Sequence, residues 1–309
     1  MARVALITGA NGFVGGVLAK YLRGRDWHVR EAVMPGQPEG PNRFACEITD
    51  IAQVRKLVSR TDGLTHVFHL AAVTFVPSSS ADPAMTMQVN IQGTINLLEC
   101  TRVLHPRARF VFVGSAAVYG APQSVPVTED HPLCPREPYA ISKAAADSYC
   151  EYAFRAHNAN VVRMRPFNHS GAGQSDQFVL SNFARQIARI ERGELPPVLK
   201  VGNIDAARDF LHVDDVIRAY ELAALKGTRG EVYNVCSGTG RSIRAALEVL
   251  LSRASVPIEI GQEPSRMRPV DIPEIAGSYE KLHSHTGWSP RLPFDRVLDD
   301  LLDYWRNSS

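Results

Sequence analysis

The chain has 309 residues, 45% hydrophobic and 21% charged, an ordinary composition for a globular protein with a full core. With 34 basic against 32 acidic residues, the net charge of +2 gives no electrostatic case for a nucleic-acid partner. The five cysteines are scattered without a Cys-x-x-Cys pair, which argues against a zinc or dithiol centre and for buried free thiols in a reducing cytoplasm.

The first predicted strand is VALIT (residues 4–8), which runs into Gly9-x-x-Gly12-x-x-Gly15 and a helix with apolar Val14, Val17, Leu18, Tyr21 and Leu22. A strand opening through glycines into a helix is how a βαβ unit brings backbone amides to a dinucleotide pyrophosphate, although the same glycines also build a tight turn. The break at Thr8-Gly9 comes too early for a signal peptide, and the apolar stretch 67–76, interrupted by His69 and Thr74, is too short to span a bilayer. Further strands are read in HVREAV (28–33), FACEI (44–48), HVFHLAA (66–72), RFVFVGS (109–115) and NVVRMRP (160–166). Helices are read over 83–104 and 139–157, and residues 120–138, with five prolines, form a loop.

This alternation predicts an α/β fold, a Rossmann-type doubly wound parallel sheet over residues 1–166. Beyond it, glycine-, asparagine- and proline-rich loops alternate with helices at 213–225, 243–252 and 294–306. Residues 167–309 are expected to form mainly a smaller mixed α/β substrate-binding lobe, with some segments returning to the main sheet. The lobes should meet over the carboxyl ends of the strands.

Tyr139 and Lys143 lie four apart in YAISK, one helical turn from each other on one face, with Ser115 twenty-four residues before Tyr139. The ammonium is expected to depress a phenol pKa that is ordinarily about 10. Ser115, closing RFVFVGS, should project beside the phenol and donate to a carbonyl oxygen, with Tyr139 supplying the proton and Lys143 holding a nicotinamide ribose. Glu47 and Ile48, closing the third strand, should lie by the adenine, and Leu70, Ala71 and Ala72, closing the fourth, let the cofactor pass. Val33 and Met34 occupy the place that discriminates NAD from NADP, with Arg30 and Glu31 just before it, and leave the choice between NADP(H) and NAD(H) open. In the second half, Arg208 and Arg268 suit phosphate oxygens, and Asn168 could meet a sugar hydroxyl or nucleotide. His169 beside it has no metal-ligand partners at suitable spacing, and no metal site is expected.

With these residues in view, the chain resembles the extended short-chain dehydrogenase/reductases that act on nucleotide sugars, and within them the GDP-4-keto-6-deoxy-D-mannose reductases. The likeness rests on TGANGFVG (8–15), FHLAA (68–72), SAAVYG (115–120), YAISK and RPFNHSGAGQ (165–174), and continues through VGNIDAARDF (201–210), VYNVCSG (232–238), MRP (267–269) and TGW (286–288). It implies Ser115, Tyr139 and Lys143 as the catalytic set. It implies a cofactor set of Gly9, Asn11, Gly12, Phe13, Val14, Gly15, Glu47, Ile48, Leu70, Ala71, Ala72 and Pro166 together with Tyr139 and Lys143. Around a GDP-sugar it implies Asn168, Val179, Asn203, Arg208 and Arg268, the two arginines near the diphosphate. A cytoplasmic homodimer paired through the helices at 83–104 and 139–157 is also implied.

Where related 4,6-dehydratases place an acidic residue or pair after the catalytic hydroxyl, this chain has Ala116 and Ala117, so elimination of water lacks its catalyst. Ala172 stands for a proline and Ser170 for an apolar residue in the NHxGPGQ loop, and Val73-Thr74 stand where some relatives carry a lysine. The expected activity is NAD(P)H-dependent reduction of the C4 ketone of GDP-4-keto-6-deoxy-D-mannose to GDP-D-rhamnose. A nucleotide-sugar 4-epimerase retaining NAD uses the same three residues and remains the alternative. A cofactor-sensing regulator without chemistry fits less well, since such proteins commonly lack the tyrosine and lysine.

Overall fold

The computed structural model describes residues 2–264 and 272–308. The first half runs β1 (Arg3–Thr8), α1 (Phe13–Arg23), β2 (Trp27–Val33), β3 (Arg43–Ala45), α2 (Ile51–Ser59), β4 (His66–His69), α3 (Val76–Ala81) and α4 (Pro83–Met87). A π turn (Gln88–Gln92) leads into α5 (Gly93–Leu104), β5 (Arg109–Val113), a 3-10 turn (Ala116–Tyr119), α6 (Pro138–His157) and β6 (Val161–Pro166). The second half holds β7 (Asn168–Ser170), α7 (Val179–Glu191), β8 (Val198–Val201), β9 (Ala207–His212), α8 (Val213–Lys226), β10 (Val232–Val235) and β11 (Gly240–Ser242). It ends with α9 (Ile243–Ser252), β12 (Glu259–Gln262), β13 (Glu274–Ile275), α10 (Glu280–Thr286) and α11 (Phe294–Asn307).

Seven parallel strands pair in the order β10-β6-β5-β4-β1-β2-β3. Successive side chains of a strand point to opposite faces, and both faces here are apolar. Ala5 and Ile7 of β1 join the core formed by Leu18 and Leu22 of α1 and Val216 and Tyr220 of α8. Leu6, between them, joins the opposite core of Val54 from α2, Leu97 from α5 and Ala146 from α6. Helices therefore cover both faces, the doubly wound arrangement the alternation predicts. A separate core links Phe183 of α7, Phe210 of β9, Leu247 of α9 and Leu298 of α11. Although it lies late in the chain, β10 pairs with β6 in the main sheet.

Several boundaries differ from expectation. Ladder pairing stops at Ala45 and His69, and β5 stops at Val113, so Glu47, Ile48, the Leu70–Ala72 run and Ser115 all lie in the turns beyond the strand ends. The helical run over 83–104 is interrupted by the π turn, an insertion that typically re-aims one side chain. The helix α2 was not foreseen, although Asp50 caps it by accepting from the amides of Ala52 and Gln53, and Val54, Leu57 and Val58 give it an apolar face. Four of the free cysteines are buried as expected, but Cys134 is exposed, in the proline-rich loop. Among the described residues no helix is long and apolar enough to cross a membrane.

Candidate active site

At the carboxyl end of β1 the glycines leave no room for side chains. Gly9 has a φ of +70° and stands so close to β4's exit that a Cβ would lie 2.8 Å from the Ala71 nitrogen. A Cβ on Gly15 would fall 2.1 Å from the Gly9 carbonyl oxygen, which lets α1 start directly against the turn. Gly12 closes the turn with its amide on the Gly9 carbonyl at 3.0 Å and caps α1 without any side-chain acceptor. The amides of Phe13, Val14 and Gly15 therefore open the helix uncapped by a side chain, with exposed Asn11 beside them. This cradle fits a dinucleotide pyrophosphate, which brings its own oxygens to such amides.

Across the sheet, Ser115 caps the 3-10 turn, its hydroxyl accepting from the Ala117 amide at 3.1 Å, and the same side chain is close enough to the phenol of Tyr139 to favour its ionised form. Lys143, buried one turn along α6, donates to the Val113 carbonyl at 2.8 Å and lies 5.4 Å from the Phe112 ring centre. The structure corrects one expectation here. Burial raises the Tyr139 phenol pKa above its ordinary value, and only the Ser115 side chain opposes this. Burial also lowers the Lys143 pKa to about 8, because desolvation penalises each charged form. The phenol is thus protonated at neutral pH rather than acidified by its neighbour.

A polar chain that sequence reading missed ties the two regions together. The Ala71 amide donates to the Thr8 hydroxyl at 3.2 Å, and that hydroxyl meets Nδ1 of buried His69 at 2.7 Å. Nε2 of His69 meets the Thr94 hydroxyl at 2.9 Å, and Thr94 gives its own proton to the Asn90 carbonyl at 2.7 Å. His69 must therefore donate from Nε2 and accept at Nδ1. Burial and the Lys143 charge hold its pKa down at about 3. Asn90, turned inward by the π turn, bonds Val73 in both directions and donates to the Ser142 hydroxyl at 2.9 Å. Ser142 donates to the Tyr139 carbonyl at 2.7 Å, closing the chain on α6. In the sequence, Asn90 and Thr94 stand among several other polar residues of the 83–104 run, including Gln88, Gln92 and Asn96, so nothing singled them out.

The other expected cofactor residues are placed as follows. The Glu47 carboxylate accepts from the Thr49 amide and hydroxyl at 3.1 and 2.9 Å, shaping the turn after β3. Ile48 is buried against Gly93, and Asn96 holds its carbonyl at 3.0 Å. Leu70 and Ala71 bond back to Thr8, Ala72 follows them, and Pro166 closes β6, buried. Glu31 is buried and ion-paired with Arg23 and Arg43, so its charge is withdrawn from the open end of β2, where Met34 is exposed.

The expected substrate residues lie on the second half. Asn168 is exposed in β7, Val179 opens α7, and the Asn203 side chain accepts from the Asp205 amide at 3.0 Å. Arg208 donates to the carbonyls of Ala207 and Ile272 at 2.8 and 2.6 Å. Arg241 is its register partner across β11 and β9, an arginine the sequence reading passed over. Arg268 lies outside the described residues.

Such a site offers a protonated phenol, a serine hydroxyl and a buried amine beside a pyrophosphate cradle, the parts needed to add a proton to a carbonyl oxygen while hydride reaches its carbon. A family model described as GDP-mannose 4,6 dehydratase matches residues 6–301. The chain is 39% identical over 310 residues to a Pseudomonas aeruginosa protein named GDP-6-deoxy-D-mannose reductase, covering 99% of this chain and 98% of that one. It is similar in fold to the structure of RMD from Pseudomonas aeruginosa complexed with NADPH, at a TM-score of 0.87 and 38% identity over 98% of this chain and 99% of that chain. The UDP-glucose 4-epimerase of Thermus thermophilus in complex with NAD also superimposes at 0.87, with 29% identity over 99% of this chain and all of that chain.

Proposed function

The chain belongs to the GDP-mannose 4,6-dehydratase family, and from that premise we propose that it is an NAD(P)H-dependent reductase of the C4 ketone of GDP-4-keto-6-deoxy-D-mannose. Its product is a GDP-6-deoxyhexose, GDP-D-rhamnose. The observation that carries this reading is the pairing of the Ser115 side chain with the Tyr139 phenol, which burial keeps protonated, on the same sheet as the glycine cradle. Reduction consumes a proton at the ketone oxygen, and a protonated phenol supplies one. Water elimination needs a base and an acid near C5 and C6, and the two residues following Ser115 are the methyl side chains of Ala116 and Ala117.

Bound NAD(P)H supplies the hydride. Gly9, Asn11, Gly12, Phe13, Val14 and Gly15 would hold its pyrophosphate, Glu47 and Ile48 would flank the adenine, and Leu70, Ala71, Ala72 and Pro166 would line its path. Ser115 polarises the ketone by donating to its oxygen, Tyr139 transfers its phenolic proton to the forming alkoxide, and Lys143 stabilises the phenolate left behind. Asn168, Val179, Asn203, Arg208 and Arg268 would take the GDP moiety, the arginines as forks for the diphosphate. Residues 1–166 would serve as the dinucleotide half and 167–309 mainly as the substrate half. The withdrawal of Glu31 into ion pairs with Arg23 and Arg43 takes its carboxylate away from a ribose 2′-hydroxyl, which favours NADPH with its 2′-phosphate. A cytoplasmic homodimer completes the reading.

The test supplies GDP-4-keto-6-deoxy-D-mannose to purified protein with NADPH or NADH, following nicotinamide absorbance and the sugar product. Consumption of reduced cofactor in step with GDP-6-deoxyhexose is expected. Protein that carries stoichiometric NAD and epimerises a nucleotide sugar with no added reductant would replace this reading with the epimerase.

A further inference from the structure

Behind the reacting groups lies a buried ionic cluster that none of the roles above uses. Asp147, two turns beyond Tyr139 on α6, is 1% exposed and receives two guanidinium groups. Arg163 reaches it at 2.8 Å, and Arg165 reaches both its oxygens, at 2.9 and 3.2 Å. From its other side Arg165 donates to the hydroxyl of Tyr119 at 3.0 Å and to the Glu129 carbonyl at 3.3 Å. Tyr119 ends the 3-10 turn that Ser115 caps, and its hydroxyl donates onward to Asn234 of β10 at 2.7 Å. Asn234 is itself fixed, its amide on Glu129 at 2.7 Å and its side chain on the Val127 carbonyl at 2.9 Å.

Arg165 thus stands between the two elements that bring Ser115 and Tyr139 together, gripping the helix through Asp147 and the turn through Tyr119. We infer that Arg165 is a positioning residue for the reaction, setting the Ser115–Tyr139 distance through Asp147 on one side and Tyr119 on the other. The planar guanidinium suits this, because it offers donors in a fixed fork to both partners, and a buried charge so fully paired tolerates little displacement. The spacing matters because a misplacement of about 1 Å at a reacting group can lower turnover by about a hundredfold. The inference rests on the proposed reductase reading.

Removing Arg165 outright would leave Asp147 with Arg163 as its remaining guanidinium partner and endanger folding, so the decisive variant is Tyr119→Phe, which deletes one oxygen and keeps the ring and every Asp147 contact. Its kcat with keto sugar and NADPH is expected to fall about tenfold, with the KM for NADPH unchanged and the alkaline limb of the pH profile displaced. Arg165→Lys, which keeps the charge and loses the fork, should lower kcat as much, and Arg165→Lys combined with Tyr119→Phe should fall no further than either alone. A Tyr119→Phe enzyme with parental kcat and pH profile and only a lowered Tm would overturn the positioning role while leaving the reductase reading intact. A parent protein that reduces no 4-keto-6-deoxy sugar overturns that reading and the positioning role with it.

Discussion

Lys143 donates from its ammonium to the carbonyl of Val113, 2.8 Å away, and so fastens α6 to the last residue of β5. Burial sets its pKa at about 8, so the ammonium is full below that pH and is lost as pH rises through it. Turnover in the reductive direction should therefore decline across that pH, since a neutral amine cannot stabilise the phenolate left on Tyr139. Lys143→Arg keeps its charge and should carry the alkaline limb upward. A parental kcat profile that stays flat through this window would refute the assignment of the charge to Lys143.

Tyr139→Phe removes only the proton donor. Its kcat should fall by about 10² to 10⁴ while NADPH binding, followed by nicotinamide fluorescence, weakens by a far smaller factor. Ser115→Ala should lower kcat by a smaller factor, because the phenol keeps its proton and only the second donor to the carbonyl oxygen is lost. Turnover retained in Tyr139→Phe would remove the phenol from the reaction.

Gly15→Ala sets a methyl 2.1 Å from the Gly9 carbonyl oxygen, a clash of backbone with backbone that no rotamer relieves. It should cost about 1 to 3 kcal/mol of stability and weaken cofactor binding markedly, measured by thermal unfolding with and without NADPH. The neighbouring control is Gly16→Ala, whose Cβ would meet the Ala10 carbonyl oxygen at an ordinary 3.6 Å and should leave both quantities unchanged. Equal behaviour of the two variants would contradict the cradle geometry.

Acid should unfold the protein through His69. Its pKa is about 3 in the fold against an ordinary 6.5, so the folded state binds fewer protons than the unfolded chain between those values. Its stabilising contribution is complete above pH 6.5 and is lost progressively as pH falls toward 3, by roughly 5 kcal/mol in all. His66, lowered to about 4 by burial, steepens the same limb. His69→Gln, which can still accept from Thr8 and donate to Thr94 but cannot be protonated, should flatten the fall in Tm on acidification. An acid limb identical in parent and variant would show that His69 titrates normally.

The outer faces of α5 and α6 leave Val103 62% and Tyr152 51% exposed, and Ile141 of α6 and Met85 of α4 are also open. If these helices pair with their copies, Tyr152→Glu should convert a dimer into a monomer in sedimentation equilibrium. A parent protein that sediments as a monomer at assay concentration would remove the dimer from the proposal.

Local chemistry made part of this molecule readable from its sequence. VALIT followed by glycines at every third position specifies a strand, a tight turn and a helix start within a dozen residues, and Tyr139 and Lys143 four apart share a helix face in any context. The alternation of strand and helix segments specified a doubly wound sheet, because each apolar strand needs cover on both faces. The capped and amphipathic α2 is equally legible, by its Asp50 cap and the apolar spacing of Val54, Leu57 and Val58. What only the tertiary structure decided were the partners and the charge states. Asn90 meets Ser142 across 52 residues, and Glu31 is taken by Arg23 and Arg43 instead of facing a ribose. The phenol of Tyr139 is raised rather than lowered because burial outweighs an ammonium that is turned to Val113. Backbone conformation follows from neighbours in the chain, whereas desolvation and hydrogen-bond partnership depend on which distant segments close over a group, and spacing along the sequence carries no record of that.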